Sequence, residues 1–168
     1  MEPYIQALKA QSGDFADSLR ELNVDLGLVT FGDTRLNTEV KDFKPTPSVA
    51  EFRAEVGRIE ITDGGDEPDS SEEGLIHALK MDYPKNSRLF IVLITDASSY
   101  QPPIIKQFAE FFTKSDRLKV FVVSEARHRP LYEPLCGNGG RFFDMKKEKI
   151  EDVLKSISQL ILDQVDTD

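Results

Sequence analysis

Apolar residues along this chain follow a helical period in five segments. Residues 3–22 carry them at three- and four-residue steps, and Pro3 stands at the start, where a helix tolerates proline, so an amphipathic helix is predicted. The same spacing predicts helices over residues 48–59, 71–81, 103–115 and 147–165. Each helix is expected to bury one apolar face and to leave the other in water.

Short segments between these helices predict strands instead. They are apolar or alternating and cover residues 24–31, 36–43, 88–95, 118–124 and 141–145. The segment RLFIVLIT, residues 88–95, is almost entirely apolar, as expected for a parallel strand that is covered on both faces. The segment 36–43 is predicted to pair with 24–31 as an outer strand that ends at Pro45. The stretch HRPLYEPLCGNGG, residues 128–140, is predicted to be a loop.

Strands that alternate with helices predict an α/β fold with a doubly wound, mainly parallel sheet flanked by helices. At 168 residues the chain is expected to form one domain, residues 1–168, around one core. Ligands of such sheets collect at the carboxyl ends of the strands. The predicted strand ends there carry Asp33, Asp96 and Glu125.

The charge of the chain narrows the classes of partner. Asp and Glu number 30 against 21 Lys and Arg, for a net charge of −9. This balance argues against nucleic acid or an anionic membrane surface as the main partner and suits a cation or a basic protein face. No run approaches the ~18 apolar residues of a membrane span, so membrane insertion is not expected.

Targeting signals and cysteine usage indicate a cytoplasmic protein as the sequence is written. The amino terminus lacks the basic and apolar regions of a signal peptide. The single Cys136 cannot form an internal disulfide, which is the normal state of a cytosolic chain. An extracellular location stays open if the amino terminus is truncated.

The segment ITDGGDEPDSSEEG, residues 61–74, crowds carboxylates and a Gly-Gly pair in front of a predicted helix. Its Gly-Gly-Asp-Glu core resembles the signature of diguanylate cyclases. That family continues with an aromatic residue and a strand, whereas Pro68 stands here and removes a ladder donor. The residues after Pro68 have the composition of a helix start, so a nucleotide cyclase of this type is the least favoured alternative.

Carboxylates in this segment also suit a metal site. Mg²⁺ and Ca²⁺ bind oxygen ligands, and Mg²⁺ needs only one or two protein carboxylates beside its waters. Asp66 lies in a glycine-opened turn before a helix, and Asp96 follows the most apolar strand. If that strand is central, the two loops meet at one rim of the sheet. Acidic loops are often solvated and an Asp after a strand often caps the next helix, so the residues alone leave both interpretations open.

The order of segments VDLGLVTFGD, DGGDEPDSSEEGLIHAL, RLFIVLITDAS, KVFVVS and GGRFFDM resembles the von Willebrand factor type A domain over nearly the whole chain. The closest likeness is to the subgroup with a Gly-Gly-Asp-x-Pro-Glu metal loop, in which Asp69 stands where the subgroup has Glu. The resemblance implies a Rossmann-like fold with a metal-ion-dependent adhesion site on its upper rim. Three loops build that site: Asp-x-Ser-x-Ser after the first strand, the middle loop, and an Asp after the fourth strand.

Site residues follow from this resemblance. It implies that Asp66 and Asp96 are metal ligands and that Ser98 and Ser99, on a loop that borders the family's ligand surface, are candidate rim contacts. Asp63 has no clear role in the family and is a further candidate rim contact by its position next to this loop. The cofactor implied is Mg²⁺, with Ca²⁺ or Mn²⁺ as substitutes. A serine hydrolase is not expected, because no Gly-x-Ser-x-Gly motif surrounds Ser98 and Ser99. The two histidines are too far apart in sequence for a zinc site of ordinary spacing, and His128 is predicted to lie in an exposed basic turn.

The family's first strand and its Asp-x-Ser-x-Ser loop have no counterpart here, because the residues from Met1 onward resemble those directly after that loop. In the family this strand is central, so its loss is expected to open two ladder edges. A truncated start, closing up of the remaining strands, and a strand donated by a partner chain all remain open. In the last two cases metal affinity is expected to be weak, because Asp66 and Asp96 alone leave a cation under-coordinated.

The expected function is that of a protein-binding module, not an enzyme. A divalent cation on the rim would offer an open coordination position to an acidic side chain of a protein partner. The main alternative is a structural or scaffold fragment that binds no metal. Self-association through the open sheet edges is a further expectation.

Overall fold

The computed structural model describes residues 2–36, 38–60 and 67–165, in which helices and strands alternate. The helices are α1 (Glu2–Ser18), α2 (Val49–Gly57), α3 (Ser71–Lys80), α4 (Pro102–Thr113), α5 (Arg129–Tyr132) and α6 (Ile150–Val165). The strands are β1 (Leu26–Thr30), β2 (Lys41–Thr46), β3 (Leu89–Ile94), β4 (Leu118–Ser124) and β5 (Arg141–Asp144). Short 3-10 turns lie at Arg20–Leu22, Thr34–Leu36, Ala126–His128 and Glu133–Cys136.

The described strands form two sheets. β4 lies between β3 and β5 in a parallel sheet, where Val120 stands opposite Ile91 and Val123 opposite Phe143. β1 and β2 form a separate antiparallel pair with an irregular register between Leu26 and Leu28. Within the described ranges no ladder joins β1 to β3. These two strands therefore do not close up on each other.

Helices cover both faces of the parallel sheet. Val120 and Val122 pack with residues of α3 and α4 on one face. Phe121 and Val123 pack with residues of α1 and α6 on the other. All four side chains are fully buried, and their alternation follows the two-residue period of a strand. The predicted doubly wound α/β class is thus confirmed.

The sequence prediction for β2 is wrong in its boundaries, although its pairing with β1 is confirmed. Leu36 lies in a 3-10 turn, and the strand runs from Lys41 through Pro45 to Thr46. Among the described strands, β2 pairs only with β1, so β2 is an edge strand. Pro45 is tolerated because the backbone N–H groups on the outer edge of such a strand are not needed for pairing.

The predicted loop at 128–140 is also wrong in part. It contains α5 and the turn Glu133–Cys136, and their side chains Tyr132 and Leu135 are fully buried. The prolines and glycines that indicated a loop instead stand at the starts of these short elements and after them. Apolar Leu131, Tyr132 and Leu135 were the signal for a packed segment.

Neighbouring phenylalanines of α4 provide a test of this core. Phe112 is 3% exposed, whereas Phe111 is 60% exposed. We expect Phe112→Ala to lower the free energy of unfolding by about 3–5 kcal/mol, because it leaves a cavity between α4 and the parallel sheet. Phe111→Ala should change it by no more than about 0.5 kcal/mol. Urea denaturation measures both, and equal losses would contradict this packing.

Candidate functional site

The loops after β1 and β3 are held together by Asp69–Ser70, a segment that we call the clasp. The backbone N–H of Ser70 donates to the carbonyl of Gly32 at 3.1 Å, beyond the end of β1. The N–H of Asp69 donates to the carbonyl of Ser98 at 2.9 Å, and the carbonyl of Asp69 accepts from Tyr100 at 3.1 Å. The carboxyl ends of β1 and β3 therefore lie at the same edge of the molecule.

Carboxylates gather around the clasp in what we call the acidic rim: Asp33, Glu67, Asp69 and Asp96. Asp33 is buried, and its carboxylate accepts a hydrogen bond from the N–H of Arg35 at 2.9 Å. Burial, together with the nearby charges of Asp96, Asp33 and Glu67, raises the pKa of Asp69 above its ordinary value. The ionised form of Asp69 is thus held in a negative potential.

Basic groups border the rim on the side of the turn Ala126–His128. Arg127 forms an ion pair with Glu67, and its Nε donates to Glu125 at 2.8 Å. His128 is buried, and its Nε2 lies 3.3 Å from Oε1 of Glu67 and 3.2 Å from the carbonyl oxygen of Asp96. These contacts offset the charge of Glu67 more than that of Asp69.

Tyr100 closes the rim on the opposite side. A hydrogen bond with Asp33 is the main cause that raises the pKa of Tyr100, and the guanidinium of Arg35 lies 3.7 Å from the centre of its ring. Tyr100 therefore offers a polar and aromatic surface next to the carboxylates, a combination that favours contacts with proteins.

A buried network lies beneath the clasp. Tyr132 donates its hydroxyl proton to the carbonyl of Ala97 at 3.0 Å, so Ser71 must be the donor in the 2.9 Å bond between Ser71 and Tyr132. Ser99 donates to the buried carboxylate of Glu72. Burial is the main cause that raises the pKa of Tyr132, so it stays protonated in this role. Because these bonds tie the start of α3 to the loop after β3, the network fixes the rim from below.

Of the site residues predicted from the sequence, some lie at the rim and others do not. Asp96 lies on the rim beside Asp69, and the carbonyl of Ser98 accepts from the clasp. Ser99 is buried with its hydroxyl bonded to Glu72, so it faces inward and away from the rim surface. Asp63 and Asp66 lie outside the described residues.

Sequence reasoning missed Asp33, Glu67 and Asp69 as members of one cluster. Asp33 follows a predicted strand, and the resemblance to the metal-loop subgroup aligned Asp69 with that subgroup's Glu, so both residues carried a usable signal. The prediction that His128 is exposed is wrong, since it is 7% exposed and bonded to the carbonyl oxygen of Asp96. Its two flanking arginines suggested a solvated turn.

The donor set of the rim suits a hard divalent cation only in part. Its ligands would be carboxylate oxygens, and the raised pKa of Asp69 marks a place where positive charge is favourable. Within the described ranges, however, no group of three or more His, Cys, Asp or Glu side chains is placed to hold a metal ion. The described residues by themselves therefore provide carboxylate oxygens but not a complete set of cation ligands.

Comparisons with known proteins agree with this architecture. A model of the von Willebrand factor A domain family matches residues 1–159. No curated protein matches the sequence. The crystal structure of an uncharacterized membrane spanning protein from Vibrio fischeri shares 18% identity over 93% of this chain and 84% of that chain, with a TM-score of 0.37. In the described part of this chain, no helix has the length and apolar character needed to cross a membrane.

The electrostatics of Asp69 predict a pH-dependent effect of Asp69→Asn. Because the pKa of Asp69 is raised in the folded state, the native protein holds that proton more tightly than the unfolded chain. The resulting stabilisation is present below the ordinary value of 3.8 and is lost as pH rises through the raised pKa. We therefore expect Asp69→Asn to raise the free energy of unfolding near neutral pH and to give less gain in acid.

The backbone bonds of the clasp survive this substitution, and exposed Asp116→Asn on the loop before β4 is the control. Urea denaturation at both pH values measures the difference. The prediction would be contradicted if Asp69→Asn raised the free energy of unfolding equally at both pH values. It would also be contradicted if Asp116→Asn gave the same increase.

Proposed function

We propose that this chain, which belongs to the von Willebrand factor A domain family, is a protein-interaction module that binds its partner at the acidic rim with the help of a divalent cation. Domains of this family are generally interaction modules without enzymatic activity. The family thus supports the general class of function. The use of the rim and of a cation is our own proposal.

One observation carries the choice of the rim: Asp33, Glu67 and Asp96 lie close enough to Asp69 that its burial and their charges together raise its pKa. A surface that concentrates like charge at the clasp is destabilised by that charge unless something positive binds there. Tyr100 and Arg35 stand beside the carboxylates and add the aromatic and guanidinium groups that protein interfaces favour. The rim is therefore the surface best suited to a partner.

The roles of the rim residues follow from their contacts. Asp69 and Asp96 would face the bound charge, because their carboxylates act on each other directly. Asp33 would hold its neighbour Tyr100 in place rather than bind, since its carboxylate already accepts from Arg35 and Tyr100. A cation held here would supply an open coordination position to an acidic side chain of the partner.

A second candidate is direct binding of a basic protein face without metal. It is favoured by the lack, within the described ranges, of a group of three metal-binding side chains. Both candidates use the same carboxylates, but they predict opposite charges on the partner and opposite effects of chelation.

The two candidates are separated by titration of Mg²⁺ and Mn²⁺ into the protein, followed by binding of two labelled peptides, one rich in Asp and one rich in Lys. For the cation-dependent module we expect heat on addition of metal, and binding of the acidic peptide in Mg²⁺ but not in EDTA. Asp96→Ala and Asp66→Ala should each weaken that binding by at least about tenfold, because each removes a ligand of an already incomplete site.

Asp116→Ala, at an exposed site on the loop before β4, is the matched control and should bind as the wild type does. Thermal denaturation verifies that each variant is folded. No heat of metal binding, with the Lys-rich peptide bound equally in Mg²⁺ and EDTA, would overturn the role of the cation and leave direct binding of a basic face.

A further inference from the structure

Exposed basic side chains gather next to the acidic rim in what we call the basic ridge: Arg127, Lys146 and Lys147. Arg127 lies in the turn after β4, and the two lysines follow β5. Because β4 and β5 are parallel neighbours, their carboxyl ends lie at one edge of the sheet, the edge that also carries the rim. The chain has a net charge of −9, so a basic area here contrasts with an otherwise acidic protein.

The carboxylates that pair with the ridge are more deeply buried than its cations. The side chains of Lys146 and Lys147 are 70% and 80% exposed, whereas those of Glu125 and Asp144 are 18% and 7% exposed. Glu125 lies 3.1 Å from Nζ of Lys146, and the carboxylate of Asp144 accepts a hydrogen bond from the backbone N–H of Lys146 at 3.1 Å. The negative charges are thus held beneath the surface, and the ammonium groups face the solvent.

The ion pairs of the ridge leave its lysines able to bind a partner. An ammonium group has three hydrogens to donate, and the pair with Glu125 takes up one of those of Lys146. The ammonium group of Lys147 lies 3.8 Å from Asp144, which is beyond hydrogen-bond distance. Exposed ion pairs contribute little to stability, so these side chains can turn toward the carboxylates of a partner without weakening the fold.

A series of ion pairs joins the ridge to the rim. Arg127 pairs with Glu67 of the rim and with Glu125, and Glu125 in turn pairs with Lys146. Negative and positive areas therefore lie side by side along one edge of the molecule. Such a surface fixes the orientation of a charged partner, because a partner turned the wrong way would bring like charges together.

This arrangement favours a short acidic protein segment over other anionic partners. A membrane surface or a nucleic acid is a broad negative surface and would meet the carboxylates of the rim as well as the cations of the ridge, which is unfavourable. A segment with two or three carboxylates covers only the ridge. Its carboxylates also match several cations that stand on neighbouring loops.

We propose that the basic ridge binds an acidic segment of a protein partner, with carboxylates of that segment paired to Lys146, Lys147 and Arg127. This inference goes beyond the proposed function, because it uses cationic side chains of the chain itself and needs no divalent cation. It also holds for either of the two candidates for the rim, since the ridge and the rim are different sets of side chains.

A labelled peptide of alternating Asp and Gly residues tests the proposal in EDTA, so that no divalent cation contributes. We expect saturable binding that weakens as the salt concentration rises from about 0.01 to about 0.15 M, because the Debye length falls from about 30 Å to about 8 Å. Amide chemical shifts measured by NMR should change more at residues 144–149 than at residues 67–72. A Lys-rich peptide of the same length should leave the shifts of residues 144–149 unchanged.

Charge-reversed variants separate the ridge from the general effect of net charge. Lys146→Glu combined with Lys147→Glu should weaken binding of the acidic peptide by at least about tenfold. Lys85→Glu combined with Lys114→Glu is the matched control: both lysines are exposed on the loops before β3 and β4, at the opposite edge of the sheet, and should bind as the wild type does. Lys146→Gln combined with Lys147→Gln should give an intermediate loss, and thermal denaturation verifies that each variant is folded.

The proposal is overturned if both charge-reversed pairs weaken binding equally, or if the acidic peptide binds only after Mg²⁺ is added. The second result would leave the cation-dependent module of the proposed function intact. Binding at the ridge in EDTA without any heat of metal binding would instead support the ridge and reject the role of the cation. Vesicles that contain phosphatidylserine test a lipid surface. If they bind through Lys146 and Lys147 and the acidic peptide does not, a protein segment is rejected as the partner of the ridge.

Discussion

The backbone hydrogen bonds of the clasp are the constraint on which the rest of the structure depends. Two adjacent N–H groups, from Asp69 and Ser70, reach in opposite directions to the loops after β3 and β1. Two sheets that share no ladder among the described strands are thereby kept in register at one edge. Because the two nitrogens belong to neighbouring residues, the separation of the sheets is fixed by covalent geometry as well as by side-chain packing. The helices α1 and α3 then pack across a gap of defined width.

This one constraint produces two surfaces with different chemistry. Above the clasp, strand-end loops bring carboxylates together and create the acidic rim. Below it, the strands β1 and β3 line a cavity together with apolar residues of α1 and α3. At the rim, burial and the neighbouring carboxylates disfavour the ionised form of Asp69. The chain belongs to a family of domains that are generally interaction modules, and the rim is the surface that we propose for such binding.

The period of apolar residues was sufficient to predict the elements whose burial in the core is regular along their whole length. The strand LKVFVVS was predicted with its observed bounds, and α6 was predicted with its observed end but begins three residues later than predicted. Burial on both faces of β4 and on one face of α6 leaves a plain apolar pattern. Pro45 was wrongly predicted to end β2, because an edge strand does not need a hydrogen bond from every backbone N–H group. Only part of the rim could be predicted from the sequence. The position of Asp96 after a recognisable strand was predictable, but its proximity to Asp69 depends on clasp hydrogen bonds between residues almost thirty positions apart.

Asp69 combines a stabilising backbone with a destabilising side chain. Its N–H and carbonyl bond to Ser98 and Tyr100, and any residue with an extended backbone could make those bonds. Its carboxylate is partly buried and lies among three others, and both conditions make it harder to ionise. Asparagine has nearly the same shape and would keep the backbone bonds without the repulsion, so stability alone does not account for aspartate here. Such a conflict between local energetics and residue identity is typical of sites that act on another molecule, because the unfavourable charge is relieved only when that molecule is bound.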